Sequence, residues 1–453
     1  MSPGLLISLL LFLPPIGLWA GQSLYYVRGV KGREEDSPQP RWPTLSVIVP
    51  VKGENVETLN GLLENLSSSN YPLDKLEVVV VSDDDPTTFD SLTRELRIPP
   101  GLEVHLLRRE ERRGYKSAAL AYGLWKTKGE LILTLDVDSR VLPGSIAKAV
   151  SKMEREQCDA VTLTWKGYSN SDSVLAKALI TTTSFGSTSL LLGRYLSGMK
   201  IFPVGSGTIY RRTSLLIVKG WDPDVIQDDL DLGARMISRG MKICASEGEV
   251  LVEVPDNLRA YYVQQTRWAM GSMEVLSRKL GELMNSETTL IQKLDLLFYM
   301  MQYIPVVTTF IGAIVLAVLS PWQNFGYVFA ALLTIWLILL GIYSSFVFAL
   351  SRREGFGWRD SLLGLGRLSA YTVAISPFIF MWTLRAFSKR RKYVVTPKGR
   401  PERTRIVYVM LLFGAAFLAS SIVYIMRFEF LPGLWLLYYA FPYLYTPYKH
   451  LRE

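Results

Sequence analysis

The sequence predicts an α/β domain, a Rossmann-like and doubly wound parallel sheet, set between helices that cross a membrane. Three observations carry this expectation. From residue 45 onward, short apolar or β-branched runs alternate with stretches of helical spacing. Uncharged runs long enough to cross a bilayer stand on both sides of that region. Acidic clusters fall at the ends of the strand-like runs, where open α/β sheets hold their ligands.

At 453 residues, with 49% hydrophobic residues and a mean hydropathy of +0.19, the chain is too long for one ordinary domain and too apolar to be wholly soluble. The uncharged run 5–27 ends in Tyr25, Tyr26 and Val27 beside Arg28, Lys31 and Arg33. It is longer than the apolar core of a signal peptide and lacks a small-residue cleavage site, so it reads as an anchor. Residues 1–43 thus form an anchor and a charged, proline-rich linker. Within 44–290, strands are expected at 45–51, 76–82, 102–107 and 130–136, and helices at 56–68, 87–97 and 115–127. Such alternation is that of a parallel sheet.

Residues 291–453 read as a membrane region. The runs 296–319 and 325–350 form a helical hairpin, divided by Ser320, Pro321, Trp322, Gln323 and Asn324. Residues 406–426 form a further span, and 431–448 a shorter one carrying Pro432, Pro442 and Pro447. Segment 361–387 contains Pro377 and has basic residues on both sides, which favours an interfacial or re-entrant element. The expectation is five crossings and one interfacial segment. Arg385, Lys389, Arg390, Arg391 and Lys392 mark a cytoplasmic flank, which puts the α/β domain in the cytoplasm and the protein in the cell membrane.

The formal charge of +9 lies largely beside apolar runs rather than in one stripe, which argues against nucleic acid as a partner. Cys158 and Cys244 are far apart in sequence, so neither a disulfide framework nor a thiolate zinc site is expected. With His105 and His450 the only histidines, a general base is expected to be a carboxylate.

Ser82-Asp83-Asp84-Asp85 ends the second expected strand and Asp136-Val137-Asp138 the fourth. The Asp-x-Asp spacing can present carboxylate oxygens to one hard cation, Mg²⁺ or Mn²⁺, bridging the pyrophosphate of a nucleotide substrate. Turns are rich in Asp for local hydrogen-bonding reasons, so the recurrence matters more than either cluster. Gln227-Asp228-Asp229-Leu230-Asp231 opens an amphipathic helix through Ile237. Gln264-Gln265-Thr266-Arg267-Trp268 joins amide donors, a permanent cation and an aromatic face, suited to phosphate and to a sugar ring.

In order and spacing, Asp83-Asp84, Asp136-Val137-Asp138, Asp228-Asp229 and Gln264-Gln265-Thr266-Arg267-Trp268 resemble the signature of membrane-integrated family 2 glycosyltransferases such as cellulose synthase, hyaluronan synthase and ceramide glucosyltransferase. The similarity extends to Gly205-Ser206-Gly207, like an acceptor-side loop, and to residues 393–399, like the gating loop of the processive synthases, with Tyr393, Thr396 and Lys398. It covers most of the chain after Leu45. The resemblance implies a GT-A type fold and roles residue by residue. Asp83 or Asp84 would contact the nucleotide base, with Lys116 close to the same nucleotide. Asp138 would be the principal metal ligand, and Asp136 would touch the nucleotide or help place the metal. Asp229 would be the catalytic base beside Asp228, which stands where the family commonly has Glu. Gln264 and Arg267 would hold pyrophosphate, and Trp268, Gly205 and Ser206 would face the acceptor.

The implied reaction is an inverting, metal-dependent transfer of a sugar from a nucleotide-sugar, by family expectation a UDP-sugar, to a membrane-associated acceptor. That acceptor is either a growing polysaccharide or a lipid. A transporter with a nucleotide-sensing domain is disfavoured, because the sequence shows no internal repeat, no Gly-rich Lys-Ser/Thr loop and no charge within the clear spans.

Overall fold

A computed structural model describes residues 2–32, 41–111, 114–319, 325–388 and 406–450. The chain opens with helix α1 (Pro3–Lys31), started by Ser2, whose hydroxyl accepts from the Leu5 N–H. The α/β domain follows, with strands β1 (Leu45–Val51), β2 (Leu76–Ser82), β3 (Glu103–Arg108), β4 (Leu131–Thr134), β5 (Arg140–Val141), β6 (Ala160–Tyr168), β7 (Thr208–Arg211) and β8 (Ile243–Glu253). Between them run α2 (Val56–Ser67), α3 (Pro86–Glu95), α4 (Lys116–Lys126), α5 (Ser145–Glu156), α6 (Val174–Ser187), α7 (Arg194–Leu196), α8 (Arg212–Ile217) and α9 (Asp228–Ser238). A π-helical turn, Thr188–Gly193, continues α6 into α7.

The strands form one sheet in the order β3-β2-β1-β4-β7-β6-β8-β5. Its first half is parallel, as the alternation predicts, with β1 pairing β2 and β4, and β2 pairing β3. Strand β2 is buried along its whole length, as a Val-rich strand covered on both faces must be. The second half departs from a purely parallel sheet, because β7 runs antiparallel to both β4 and β6, and β5 runs antiparallel to β8. Gly207 turns the chain into β7 with φ +87°, and its N–H bonds the Thr134 carbonyl at 2.7 Å. A Cβ there would stand 2.5 Å from Val250 Cγ1, so both conformation and space select glycine.

A second departure concerns the cysteines, which were expected to be unpaired. Cys158 and Cys244 form a disulfide with Cα atoms 6.1 Å apart. The parallel pairing of β6 with β8 sets Val161 opposite Cys244 and so brings Cys158, just ahead of β6, within reach. That contact closes an 86-residue separation through sheet register, which sequence spacing does not encode.

After the sheet come α10 (Leu258–Met284), α11 (Leu290–Met300), α12 (Ile304–Leu319), α13 (Gly326–Arg353), α14 (Trp358–Ala374), α15 (Ser376–Arg385), α16 (Ile406–Met426) and α17 (Phe430–His450). Among the described residues three helices are long and apolar enough to cross a membrane, and up to five spans result if each bent pair counts as one. The three are α1, Tyr327–Arg353 within α13, and α16. The straight span expected at 296–319 is broken instead, with α11 and α12 meeting at 62° just before Pro305, whose ring cannot continue a helix past its first turn. Helices α14 and α15 meet at 49° beside Pro377, as a broken span or a re-entrant loop. The crossing expected at 431–448 is not among the apolar spans. Helix α17 has the length, but Tyr438, Tyr439, Tyr443, Tyr445 and Tyr448 and its prolines dilute its apolarity.

Two contacts fix the apolar helices to the domain. Helix α1 crosses the π-helical turn so closely that a Cβ on Gly193 would lie 1.9 Å from the Tyr25 carbonyl oxygen, and one on Gly29 2.3 Å from that of Thr188. Beside this crossing the buried Arg194 guanidinium pairs with Asp295 of α11, its Nε donating at 3.0 Å, and the Tyr25 hydroxyl donates to the same carboxylate at 2.6 Å. Arg194 also lies over the Tyr299 ring at 4.4 Å.

Candidate active site

The turn after β4 carries Asp136 and Asp138 and is held rigid from several sides. The Asp136 N–H donates to Ser206 Oγ at 3.0 Å, Ser206 Oγ and Ser139 Oγ are 2.7 Å apart, and the Tyr168 hydroxyl donates to the Asp138 carbonyl at 2.5 Å. Trp165 Nε1 donates to the Ser206 carbonyl at 2.7 Å. Ser206 is therefore buried as the fastener of this turn and is not among the cavity-lining residues, whereas Gly205 is.

Lys116, the first residue of α4, reaches the same place. Its Nζ lies 2.6 Å from Asp136 Oδ1 and donates to the Gly205 carbonyl at 2.9 Å. A Cβ on Gly205 would stand 3.4 Å from both Lys116 Nζ and Asp229 Oδ2, so a side chain there would crowd the site.

Helix α9 begins with Asp228 and Asp229, which places carboxylates at the positive end of its dipole. Asp229 Oδ1 accepts from the Leu230 N–H at 2.8 Å. Asp228 is buried and its Oδ2 has no hydrogen-bond partner among the described residues. Helix α10 holds this start in place: a Cβ on Gly271 would meet Gln227 Cβ at 2.7 Å, and the Ile226 N–H donates to Glu274 Oε2 at 3.3 Å. Burial, and then the charge of Asp228, push the Asp229 carboxyl up to about 7. Burial also raises Asp228, with Asp136 adding to the rise and Lys116 and Arg267 opposing it. Two carboxyls that resist ionisation side by side in a cleft are the arrangement expected of acid–base chemistry.

These groups share one cavity of about 570 Å³, lined by Lys116, Asp136, Asp138, Asp228, Asp229, Gln264, Arg267 and Trp268. Asp83 and Asp84 are not brought into it. Arg109 Nε and Nη2 grip Asp83 at 2.6 and 2.7 Å, while Asp84 accepts from the Gly53 N–H at 2.7 Å and from Ser82 Oγ at 2.9 Å. Tyr393, Thr396 and Lys398 lie outside the described residues. Sequence reasoning missed Arg109, Trp165 and Tyr299, of which the last two line the cavity. Arg109 stood in a charged stretch with no pattern to single it out, and Tyr299 stood in an apolar run whose packing against the site is tertiary.

The acid-lined cavity and the mixed sheet define the class. The fold is GT-A, similar to a mannosyltransferase from Pyrobaculum calidifontis solved in complex with GDP-Man and Mn²⁺, with TM-score 0.55 and 18% identity over 86% of this chain and 100% of that one. A family described as "Glycosyl transferase family group 2" matches residues 131–386. A protein named "Probable glycosyltransferase" from Sulfolobus acidocaldarius is 41% identical over 456 residues, covering 99% of this chain and 98% of that one. The chain belongs to glycosyltransferase family group 2, and it is an enzyme of that kind. It is also 27% identical over 233 residues to a beta-monoglucosyldiacylglycerol synthase of Nostoc sp., spanning about half of that relative, 49% of its length.

Proposed function

We propose that the chain transfers a sugar from a nucleotide-sugar to a hydroxyl presented at the cytoplasmic face of the cell membrane, with inversion at the anomeric carbon. The observation that carries this reading is the shared cavity, in which carboxylates, Lys116, Arg267 and Trp268 converge. Asp229 takes the acceptor proton while that oxygen forms its bond to the anomeric carbon. The bond from that carbon to the diphosphate breaks, and the electron pair leaves on the nucleoside diphosphate. Lys116, Gln264 and Arg267 bind and orient the diphosphate, and Trp268 offers its face to the acceptor.

Asp136 and Asp138 fit a divalent cation such as Mg²⁺ or Mn²⁺. They offer oxygen donors only, and a site of one or two carboxylates completed by phosphate oxygens is how such ions are commonly held beside nucleotides. The Asp136 side chain is 44% exposed rather than sealed in a protein cage, which leaves it open to such an ion. When bound, the cation neutralises charge on the departing diphosphate.

The test is a screen of UDP- and GDP-sugars for cleavage and transfer by the purified full chain, with Mg²⁺ and Mn²⁺ titrated. Asp138→Ala is expected to abolish metal-dependent nucleotide binding by calorimetry. An unchanged metal titration would remove Asp138 from the metal site.

A further inference from the structure

The cavity has a second end. Away from Lys116 and Asp229 it is lined by Thr182, Thr183 and Gly186 of α6, Tyr343 of α13, and Leu368 and Thr372 of α14. These residues belong to helices that the acid–base chemistry does not use. On α6 they share a face of short side chains, and a Cβ on Gly186 would meet nothing within 4 Å, so the helix faces open space there. Tyr343 lies within the apolar span, ten residues before its basic end at Arg353, or about 15 Å along the axis. On their outer faces the same helices expose Ile338 and Ile342 of α13 and Leu362 and Leu363 of α14, so the helices that border this end are apolar outside.

A polymer leaving through the membrane needs a path through the helical bundle, and the interior is filled. Phe12 packs on Phe329 at 5.1 Å and on Trp435 at 5.9 Å, Trp435 stacks on Tyr439 at 5.0 Å, and Phe310 packs on Phe413 at 5.1 Å. Among the described residues, none from α12, α16 or α17 lines the cavity. It therefore runs from the acids to the flank of the bundle rather than through it.

We propose that the acceptor is a membrane lipid with a headgroup hydroxyl, whose chain lies between α6, α13 and α14 at Gly186 while the hydroxyl reaches Asp229. The inference rests on the transfer reading above. The lipid oxygen loses its proton to Asp229 and bonds the anomeric carbon, the diphosphate leaves with its electron pair, and a lipid bearing one sugar stays in the bilayer.

The full chain in phosphatidylcholine vesicles, doped with a diacylglycerol carrying a photoactivatable diazirine on one acyl chain, tests this. Peptide mass spectrometry should find adducts on 182–186. Gly186→Leu fills the open space on a helix that tolerates leucine, and an unchanged melting temperature reports that it folds. In that variant labelling at 182–183 should fall about tenfold relative to Leu362 and Leu363, the loss that about 1.4 kcal/mol of binding gives. With labelled donor, the product should be a single-sugar species that partitions into organic solvent. A ladder of sugars, a sugar phosphate labile to mild acid, or 182–186 free of adducts overturns the inference. If no nucleotide-sugar is cleaved at all, it is the transfer reading that fails.

Discussion

One acidic cluster follows strand β2 and another opens helix α9, and the fold treats them in opposite ways. At Asp83 and Asp84 it supplies what the carboxylates need, a bidentate guanidinium from Arg109, a backbone N–H from Gly53 and a hydroxyl from Ser82. At Asp228 it withholds it, leaving Oδ2 buried without a hydrogen-bond partner among the described residues, and beside it Asp229 is held well above the ordinary carboxylate range. A satisfied buried charge fixes a loop. An unsatisfied one costs stability and is retained where it can act on something else.

The contrast breaks most visibly at Asp229. Asp229→Asn keeps the shape of the side chain and removes the base, so transfer should fall about 10²- to 10⁴-fold while nucleotide binding survives. Near-normal turnover would place the base elsewhere. Stability should move the other way. A carboxyl whose folded value is raised favours the protonated form, so its fold is most stable below the ordinary carboxylate range and weakens as pH climbs through about 7. Asp229→Asn should then melt higher than the parent at alkaline pH, and the gap should close toward about pH 4.

Asp83→Asn is the opposite case. It leaves the Arg109 guanidinium buried beside a neutral partner, and removing one member of such a pair costs about 3–5 kcal/mol, read as a lower denaturation midpoint. Turnover per folded molecule should hold. Loss of nucleotide binding in a well-folded Asp83→Asn would return that residue to the donor site.

The disulfide belongs on the same, structural side. Replacing Cys158 and Cys244 together with Ala should lower stability by about 2–4 kcal/mol without changing transfer by the folded protein. This pair also shows where sequence reading stops. Local patterns made the parallel strands legible, since Leu45–Val51 and Leu76–Ser82 stand where runs of Val and Ile predict them. The motifs at 136–138, 228–229 and 264–268 were legible as acids, amides and a cation, and the cavity gathers them. Three things were not legible, for one reason. The antiparallel β7, the Cys158–Cys244 contact and the capture of Asp83 by Arg109 each depend on which distant segments become neighbours. Pairing, which separates the two acidic clusters, is a tertiary quantity, whereas their sequences differ little.

The smallest expected effect probes the contrast from within the active cluster. Asp229 must be ionised to accept a proton, so kcat/KM should rise as pH increases through about 7. Burial is the larger cause of its elevation and the charge of Asp228 the next. Asp228→Asn removes the second cause and leaves the first, so the acid limb of the profile should move to lower pH without reaching the ordinary carboxylate value. Lys116 opposes the rise, so Lys116→Met should move that limb to higher pH. Opposite displacements from these two substitutions, measured on the same donor, would tie the limb to Asp229. A limb that neither moves would mean that another group titrates there, and the two clusters would then differ in hydrogen-bond pairing alone.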